Sequence, residues 1–196
     1  PEKVFCVGLN YRTHILEMGR ELPEYPTLFA KFARALVGAY DPVELPAGSE
    51  RVDWEAELGV VIGAEVRHAT PEQAAAAIAG YTVVNDVTAR DVQMRHQQWD
   101  LGKSFDAFCP MGPWIVTGLD PDALRVTIRV NGQEMFSYAI KDAIFGVRQF
   151  ISRMSQYLTL HPGDVLWMGT DGATENIKDG DVVEIEIPGI GVLRNP

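Results

Sequence analysis

The sequence predicts an α+β domain dominated by strands, and three observations carry that assignment. Apolar and polar residues alternate over several short stretches, helical periodicity is confined to a few segments, and strands and helices do not follow the regular order of a doubly wound sheet. The chain has 196 residues, enough for one domain with a substantial core, and no Pro/Gly/Ser-rich linker or fixed-period repeat divides it. Residues 1–196 are therefore read as one domain. The chain opens at Pro1 without Met, and a preceding segment is expected.

The elements follow in order. Lys3 to Gly8 reads as a short strand, and Asn10 to Gly19 as a brief helix or ordered loop. After a Pro-rich crossing, Thr27 to Phe32 is a strand candidate. Asp53 to Gly63 is a clear strand, alternating acidic with apolar residues before Val60, Val61 and Ile62. Thr70-Pro71-Glu72-Gln73 predicts a helix start: the Thr70 hydroxyl caps, Pro71 takes the first turn and Gln73 reaches back, with alanines extending the helix toward Gly80. Tyr81 to Asp86 is a strand, after which Thr88 is expected to cap a helix through about Arg95. Beyond Pro113, Leu124, Val126, Ile128 and Val130 alternate into an Asn131-Gly132 hairpin turn. Ile144, Val147, Phe150, Ile151, Met154 and Leu158 form a helical stripe suited to packing on a sheet. Val165 to Met168 and Asp181 to Ile187 close the chain as strands.

Composition excludes several function classes. Seventeen basic against 27 acidic residues give a formal net charge of -10, which opposes broad binding to a phosphate backbone. No apolar run approaches the roughly 18 residues that read as a membrane span. Cys6 and Cys109 lie far apart without CxxC spacing, a usage that fits reduced, packed thiols and a cytoplasmic setting. Gly102-Lys103-Ser104 ends like a phosphate-binding loop but has Gln97 where the first glycine belongs, and Gly189-Ile190-Gly191 leaves no room for the helix a dinucleotide fingerprint needs.

One constellation remains. Glu55 and Glu57 are two apart on the expected strand, so both carboxylates leave one face, where a hard divalent ion such as Mg²⁺ would relieve their repulsion. The same spacing also describes a solvated acidic face, with Asp53 on the same side. Asp86, ending a buried apolar strand, needs a partner and is a candidate third ligand. Arg90 and Gln93, three apart on a helix, can offer a fork and an amide to a carboxylate, or face water. Lys103, after a glycine in a short polar loop, could stabilise an oxyanion or be solvated. His14 and Glu17 are three apart, so the carboxylate can orient the imidazole of a general base; His68, His96 and His161 lack such a partner and are read as exposed or structural.

Gly8-Leu9-Asn10-Tyr11 with His14 and Glu17, Glu55-Ala56-Glu57-Leu58-Gly59, Asn85-Asp86 through Arg90 to Gln93, Gly102-Lys103-Ser104-Phe105-Asp106 and Gly169-Thr170 together closely resemble the fumarylacetoacetate hydrolase family. The resemblance spans nearly the whole chain and implies a β-rich mixed fold, a homodimer, and Mg²⁺ or Mn²⁺ bound by Glu55, Glu57 and Asp86. It further implies His14 and Glu17 as a water-activating dyad on a lid running to about Pro26, Lys103 as oxyanion and proton partner, and Arg90, Gln93 and Thr170 as contacts to the substrate's carboxylate end. Asp171 to Thr174 and Phe32 depart from the family's usual pattern, so the wall beside Thr170 is expected to differ.

The activity so implied is metal-dependent hydrolysis of a carbon-carbon bond in a 2,4-diketo acid such as an acylpyruvate. The alternatives are isomerisation or decarboxylation of an unsaturated 2-oxo dioate from aromatic breakdown, decarboxylation of oxaloacetate, and a non-catalytic domain that binds metal and oxo acids. All share an oxo acid chelated through carboxylate and keto oxygens, with the enolate stabilised by the ion.

Overall fold

Residues whose side chains alternate between two apolar environments form the centre of this molecule. The computed structural model describes residues 1–196 except Met18, Arg20 and Ala173, and except the side chains of His14 and Glu17. In chain order the strands are β1 (Val4–Gly8), β2 (Thr27–Lys31), β3 (Leu36–Val37), β4 (Val52–Asp53), β5 (Ala56–Ile62), β6 (Ile78–Asn85), β7 (Thr88–Ala89), β8 (Cys109–Val116), β9 (Arg125–Val130), β10 (Gln133–Ala139), β11 (Val165–Trp167), β12 (Val183–Ile187) and β13 (Gly191–Asn195). The helices are α1 (Arg12–Glu17), α2 (Pro71–Ala76), α3 (Arg90–Arg95), α4 (Asp100–Lys103) and α5 (Val147–Tyr157).

Seven strands form a mixed sheet in the order β2-β1-β11-β5-β6-β8-β3, four form an antiparallel sheet in the order β10-β9-β12-β13, and β4 pairs with β7. Within the large sheet β1 runs parallel to β11, and β3 to β8. Both faces of β5 are covered, which is why it reads as a near-continuous apolar run around Glu57. Leu58, Val60 and Ile62 join Val126, Ile128, Val183, Ile185 and Leu193 of the small sheet and Phe150, Ile151 and Met154 of α5 in one cluster. The opposite face packs Val61 with Cys6, Val84, Cys109 and Trp167. Both cysteines are free and buried, and burial pushes the Cys6 thiol up and that of Cys109 up to about 11.

Local signals explain several boundaries. Thr70 and Gln73 form the expected reciprocal capping box at α2. That helix stops at Ala76 rather than near Gly80, and β6 begins at Ile78, because pairing with β5 claims the backbone. Gly80 serves the pairing of β6 with β8 on its other side, since a Cβ there would sit 2.7 Å from the Val116 carbonyl oxygen. The expected strand from Asp53 to Gly63 is broken: Asp53 belongs to β4, and Trp54 and Glu55 lie between β4 and β5. Thr88 does not cap α3. It sits in β7, its hydroxyl donating to the Asp86 carbonyl and lying 3.2 Å from Glu55, while Ala89 takes the N-cap position. The closing strand β13, unforeseen beyond Ile187, pairs with β12.

Asn10 ties the end of β1 to two distant loops. Its amide donates to the carbonyls of Phe145 (3.2 Å) and Met168 (2.8 Å), and its side-chain oxygen accepts from the Phe145 amide at 2.8 Å. Asn10 is fully buried, so Asn10→Ala strands three backbone groups and is expected to lower unfolding stability by about 2–4 kcal/mol in urea titrations. A loss below about 1 kcal/mol would mean the network carries little of the fold.

Candidate active site

Strand register brings the acidic residues together. Ala56 pairs with Asn85 and Glu57 with Val84, so the end of β6 lies beside the start of β5. The Asp86 amide then donates to the Glu55 carbonyl at 2.7 Å, and the Glu55 amide donates to the Asn85 side-chain oxygen at 3.0 Å. From the end of β11, the Gly169 amide donates to Glu57 Oε2 at 2.7 Å. Gly169 has φ +83°, and a Cβ there would stand 2.8 Å from the Val7 carbonyl oxygen, so only glycine lets the chain make this approach.

Glu55, Glu57 and Asp86 each contribute an oxygen to a group lying within 4.8 Å of one another. Oxygens on one Mg²⁺ at about 2.0–2.1 Å stand at most about 4.2 Å apart and on one Ca²⁺ at about 2.3–2.6 Å at most about 5.2 Å, so the spread admits a larger divalent ion as it stands and Mg²⁺ after a small inward turn of a side chain. All three are largely buried, which excludes the solvated acidic face. Glu55 enters from the break before β5 rather than from the strand itself, yet it reaches the same point as Glu57.

Cations converge on the same cluster. Lys103 is not in a polar loop: it ends α4, is 2% exposed, and donates to Glu55 Oε2 at 2.8 Å and Asp86 Oδ2 at 2.6 Å. The glycine before it has a packing purpose, because a Cβ on Gly102 would fall 2.7 Å from the Gln93 amide nitrogen and push α4 off α3. Arg90 spans two acids, with Nε on Asp53 (2.9 Å) and Nη2 on Glu55 (2.7 Å), while Nη1 donates to Gln93 Oε1 at 2.9 Å. The Gln93 amide NH₂ has no partner among the described hydrogen bonds and borders the cavity.

Lys31 is a member that sequence reasoning missed. It projects from β2, fully desolvated, and donates to Asp86 Oδ1, to the Val87 carbonyl (3.1 Å) and to the Phe108 carbonyl (2.8 Å), exhausting its three N–H groups. The available signal was a lone lysine ending an apolar strand. Asp53 was also missed as a partner of Arg90, having been read only as part of an acidic face.

These contacts set the ionisation of the site. Burial alone would raise the Glu55 carboxyl, but Lys103 and Arg90 hold it down at about 2. Burial pushes the Glu57 carboxyl well up, and Asp86 and Glu55 add to the rise, since the Gly169 amide is the one described donor facing it. Burial opposes the charge on Lys31, yet Asp86 keeps its ammonium above the ordinary lysine range.

Above the cluster opens a cavity of about 630 Å³, with Glu55, Glu57, Lys103, Arg90, Gln93, Gly169 and Thr170 toward its base and Leu9, Phe29, Met94 and Trp99 as apolar wall. Trp99 stacks edge-on against Phe29, and the Thr170 hydroxyl is 3.3 Å from the Asp171 carbonyl. His96, expected to be exposed or structural, is exposed and borders the cavity. The expected dyad falls on α1, which follows directly on cavity-lining Gly8 and Leu9; the side chains of His14 and Glu17 lie outside the described residues, as do Met18 and Arg20 of the expected lid.

Comparison with known proteins gives a consistent result. The family described as fumarylacetoacetate (FAA) hydrolase C-terminal matches residues 3–196. Human mitochondrial oxaloacetate tautomerase FAHD2A is 44% identical over 207 residues, covering all of this chain, and the chain spans 66% of that relative's length. The 5-carboxymethyl-2-hydroxymuconate delta-isomerase from Mycobacterium smegmatis superposes with a TM-score of 0.93 at 42% identity, covering 100% of this chain and 78% of the isomerase. The 2-hydroxyhepta-2,4-diene-1,7-dioate isomerase from Mycobacterium marinum gives 0.92 at 41% identity, covering 100% and 73%.

A proton held on Glu57 competes with a cation at the same oxygens. Affinity for Mn²⁺ is therefore expected to rise with pH as the elevated Glu57 pKa is passed and to weaken as pH falls, with proton release visible in titration calorimetry in buffers of different ionisation enthalpy. Glu57→Gln should remove both the binding and the proton release; equal Mn²⁺ affinity in variant and wild type would place the ion elsewhere.

Proposed function

The chain belongs to the fumarylacetoacetate hydrolase family, and on that premise we propose that it is a divalent-metal-dependent enzyme that forms and redirects the enolate of a 2-oxo dicarboxylate, by keto–enol or double-bond isomerisation. The observation carrying this reading is the meeting of Glu55, Glu57 and Asp86 with the buried Lys103 ammonium, where Glu55, Glu57 and Lys103 line one cavity. Relatives named as a tautomerase and as two isomerases of oxo dioates support the choice of reaction.

In this reading Glu55, Glu57 and Asp86 hold Mg²⁺ or Mn²⁺. Such an ion would supply Lewis-acid stabilisation of the enolate's negative charge. Lys103 places a fixed positive charge beside that oxyanion without solvent reorganisation, because its two acidic partners already orient it. Arg90 engages the Gln93 oxygen and so leaves the amide NH₂ free to donate to the substrate's carboxylate. Thr170 also borders the cavity with its hydroxyl, and Leu9, Phe29 and Trp99 keep water from the enolate. The partner is a small anionic oxo acid.

Hydrolysis of a 2,4-diketo acid, the activity anticipated from the sequence, is the second reading. It is favoured by the position of α1 immediately after cavity-lining Gly8 and Leu9, since positions 14 and 17 share one helix face there. It requires His14, oriented by Glu17, to deprotonate a water.

A substrate panel separates the two. With Mg²⁺, keto–enol interconversion of oxaloacetate is expected to be accelerated, to stop with a chelator, and to fall about 10²- to 10³-fold in Lys103→Met. If acylpyruvate is cleaved instead, and His14→Ala slows that cleavage about 10²- to 10⁴-fold, the hydrolytic reading replaces the first. Binding of Mg²⁺ and oxalate with no turnover of either substrate would mark a non-catalytic oxo-acid domain.

A further inference from the structure

The cations facing this cavity are not equally engaged. Lys103 is taken by Glu55 and Asp86, and Arg90 by Asp53, Glu55, Gln93 and Thr174. Arg51 also lines the cavity, and no side-chain hydrogen bond from it is among those described. Its nearest carboxylate oxygen, Asp53 Oδ2, is 3.7 Å away and already accepts from Arg90 Nε at 2.9 Å and Thr174 at 3.2 Å. The Arg51 side chain is half exposed, at 51%, and borders the open space of the cavity.

The backbone beneath that fork is held firmly. The Arg51 amide donates to the Ser49 hydroxyl oxygen at 3.2 Å, and its carbonyl accepts from the Arg90 amide at 2.8 Å at the start of α3. Ser49 in turn hydrogen-bonds Asp91, which locks the 49–51 turn to α3. A planar donor fork on a fixed backbone, bordering a cavity and with one long ion pair of 3.7 Å to Asp53 as its described side-chain contact, keeps donors to offer a carboxylate bidentately.

The charge count agrees. Asp53, Glu55, Glu57 and Asp86 are balanced by Lys31, Lys103, Arg90 and Arg51. A divalent ion on the three clustered carboxylates would leave two positive charges over, which complements a dianion better than a monoanion.

We propose that Arg51 is a specificity-determining residue that receives the second carboxylate of a 2-oxo dicarboxylate whose oxo-acid end lies at Glu55, Glu57 and Asp86. The inference rests on the proposed function for that oxo-acid end and adds the distal contact.

The test is binding, read by calorimetry in Mn²⁺ with the full chain. Oxalate probes the chelating end alone. Oxaloacetate, 2-oxoglutarate and 2-oxoadipate are compared with the monocarboxylates of matching length, 2-oxobutyrate, 2-oxovalerate and 2-oxohexanoate. Wild type should prefer at least one dicarboxylate over its partner. Arg51→Gln should weaken that dicarboxylate about 10- to 100-fold while leaving oxalate within about threefold, and Arg51→Lys should retain part of the preference because it keeps the charge but loses the fork. An unchanged dicarboxylate affinity in Arg51→Gln overturns the assignment. So does an equal loss for oxalate and dicarboxylate, which would mean Arg51 acts only by screening Asp53 and Arg90. If wild type binds none of these acids, the oxo-acid reading of the site fails with it.

Discussion

Burying four carboxylates at one end of a sheet is the constraint around which this structure is organised. An ion moved out of water loses several kcal/mol of hydration even after relaxation, and only well-placed partners return it. Asp86 shows how completely the fold answers: one carboxylate oxygen is taken by Lys31 and the other by Lys103, both fully desolvated lysines from opposite sides of the chain. Asp53 and Glu55 share Arg90 in the same way. Glu57 alone is left with a backbone amide and no described cation, and its carboxyl is the one pushed upward. Glu57 is thus the acid of the trio with no ion pair of its own, whereas an ion shared with Glu55 and Asp86 would also have to share or shift the contacts those two make with Lys103 and Arg90.

The topology follows from that requirement. Residues 31, 57, 86, 103 and 169 are far apart in sequence, and they meet because β1 and β11 run parallel while β5 and β6 run antiparallel to their neighbours. This mixture puts the trailing ends of β1, β6 and β11 beside the leading end of β5. A purely alternating order would reverse β1 and send its trailing end to the far edge. The small sheet and α5 contribute no charged group to the centre; they cover the face that carries Leu58 and Val60 and so keep β5 rigid under Glu57.

Much of this was legible in the sequence where the signal was local. The capping box at Thr70, the alternation from Val126 to Val130 into Asn131-Gly132, the stripe along α5 and the acidic trio all depend on near neighbours or on a distinctive motif set. The errors occurred where a distant contact overruled a local preference. Thr88 has the composition of a helix cap, but Glu55 offers its hydroxyl a buried acceptor and β4 offers its backbone a partner. Lys31 has no role in the sequence reading beyond its place in a strand candidate, because nothing within ten residues announces the carboxylate and two carbonyls that receive it. Lys103 was recognised through its motif, while its burial depends on Gly102 fitting against Gln93, a contact between two helices that single-sequence periodicity does not encode.

The division between frame and wall bears on how one scaffold can serve several reactions. Enolate formation, decarboxylation and carbon-carbon cleavage of oxo acids all need negative charge stabilised at the same oxygens, so the trio, Lys103 and the residues that hold them can stay unchanged among these reactions. What must differ is the group presented at the distal end of the substrate and whether a base-activated water is admitted there. In the proposed reading those functions fall to parts outside the buried ion-pair network: α1, the apolar wall of Leu9, Phe29, Met94 and Trp99, and the half-exposed Arg51. Change at these positions leaves the buried ion pairs intact, whereas change at Lys31 or Asp53 would remove one of the two ion-pair partners of Asp86 or Arg90 and cost the several kcal/mol that breaking a buried pair entails. Substrate choice is therefore free to vary at the wall and is physically confined there by the energetics of the base.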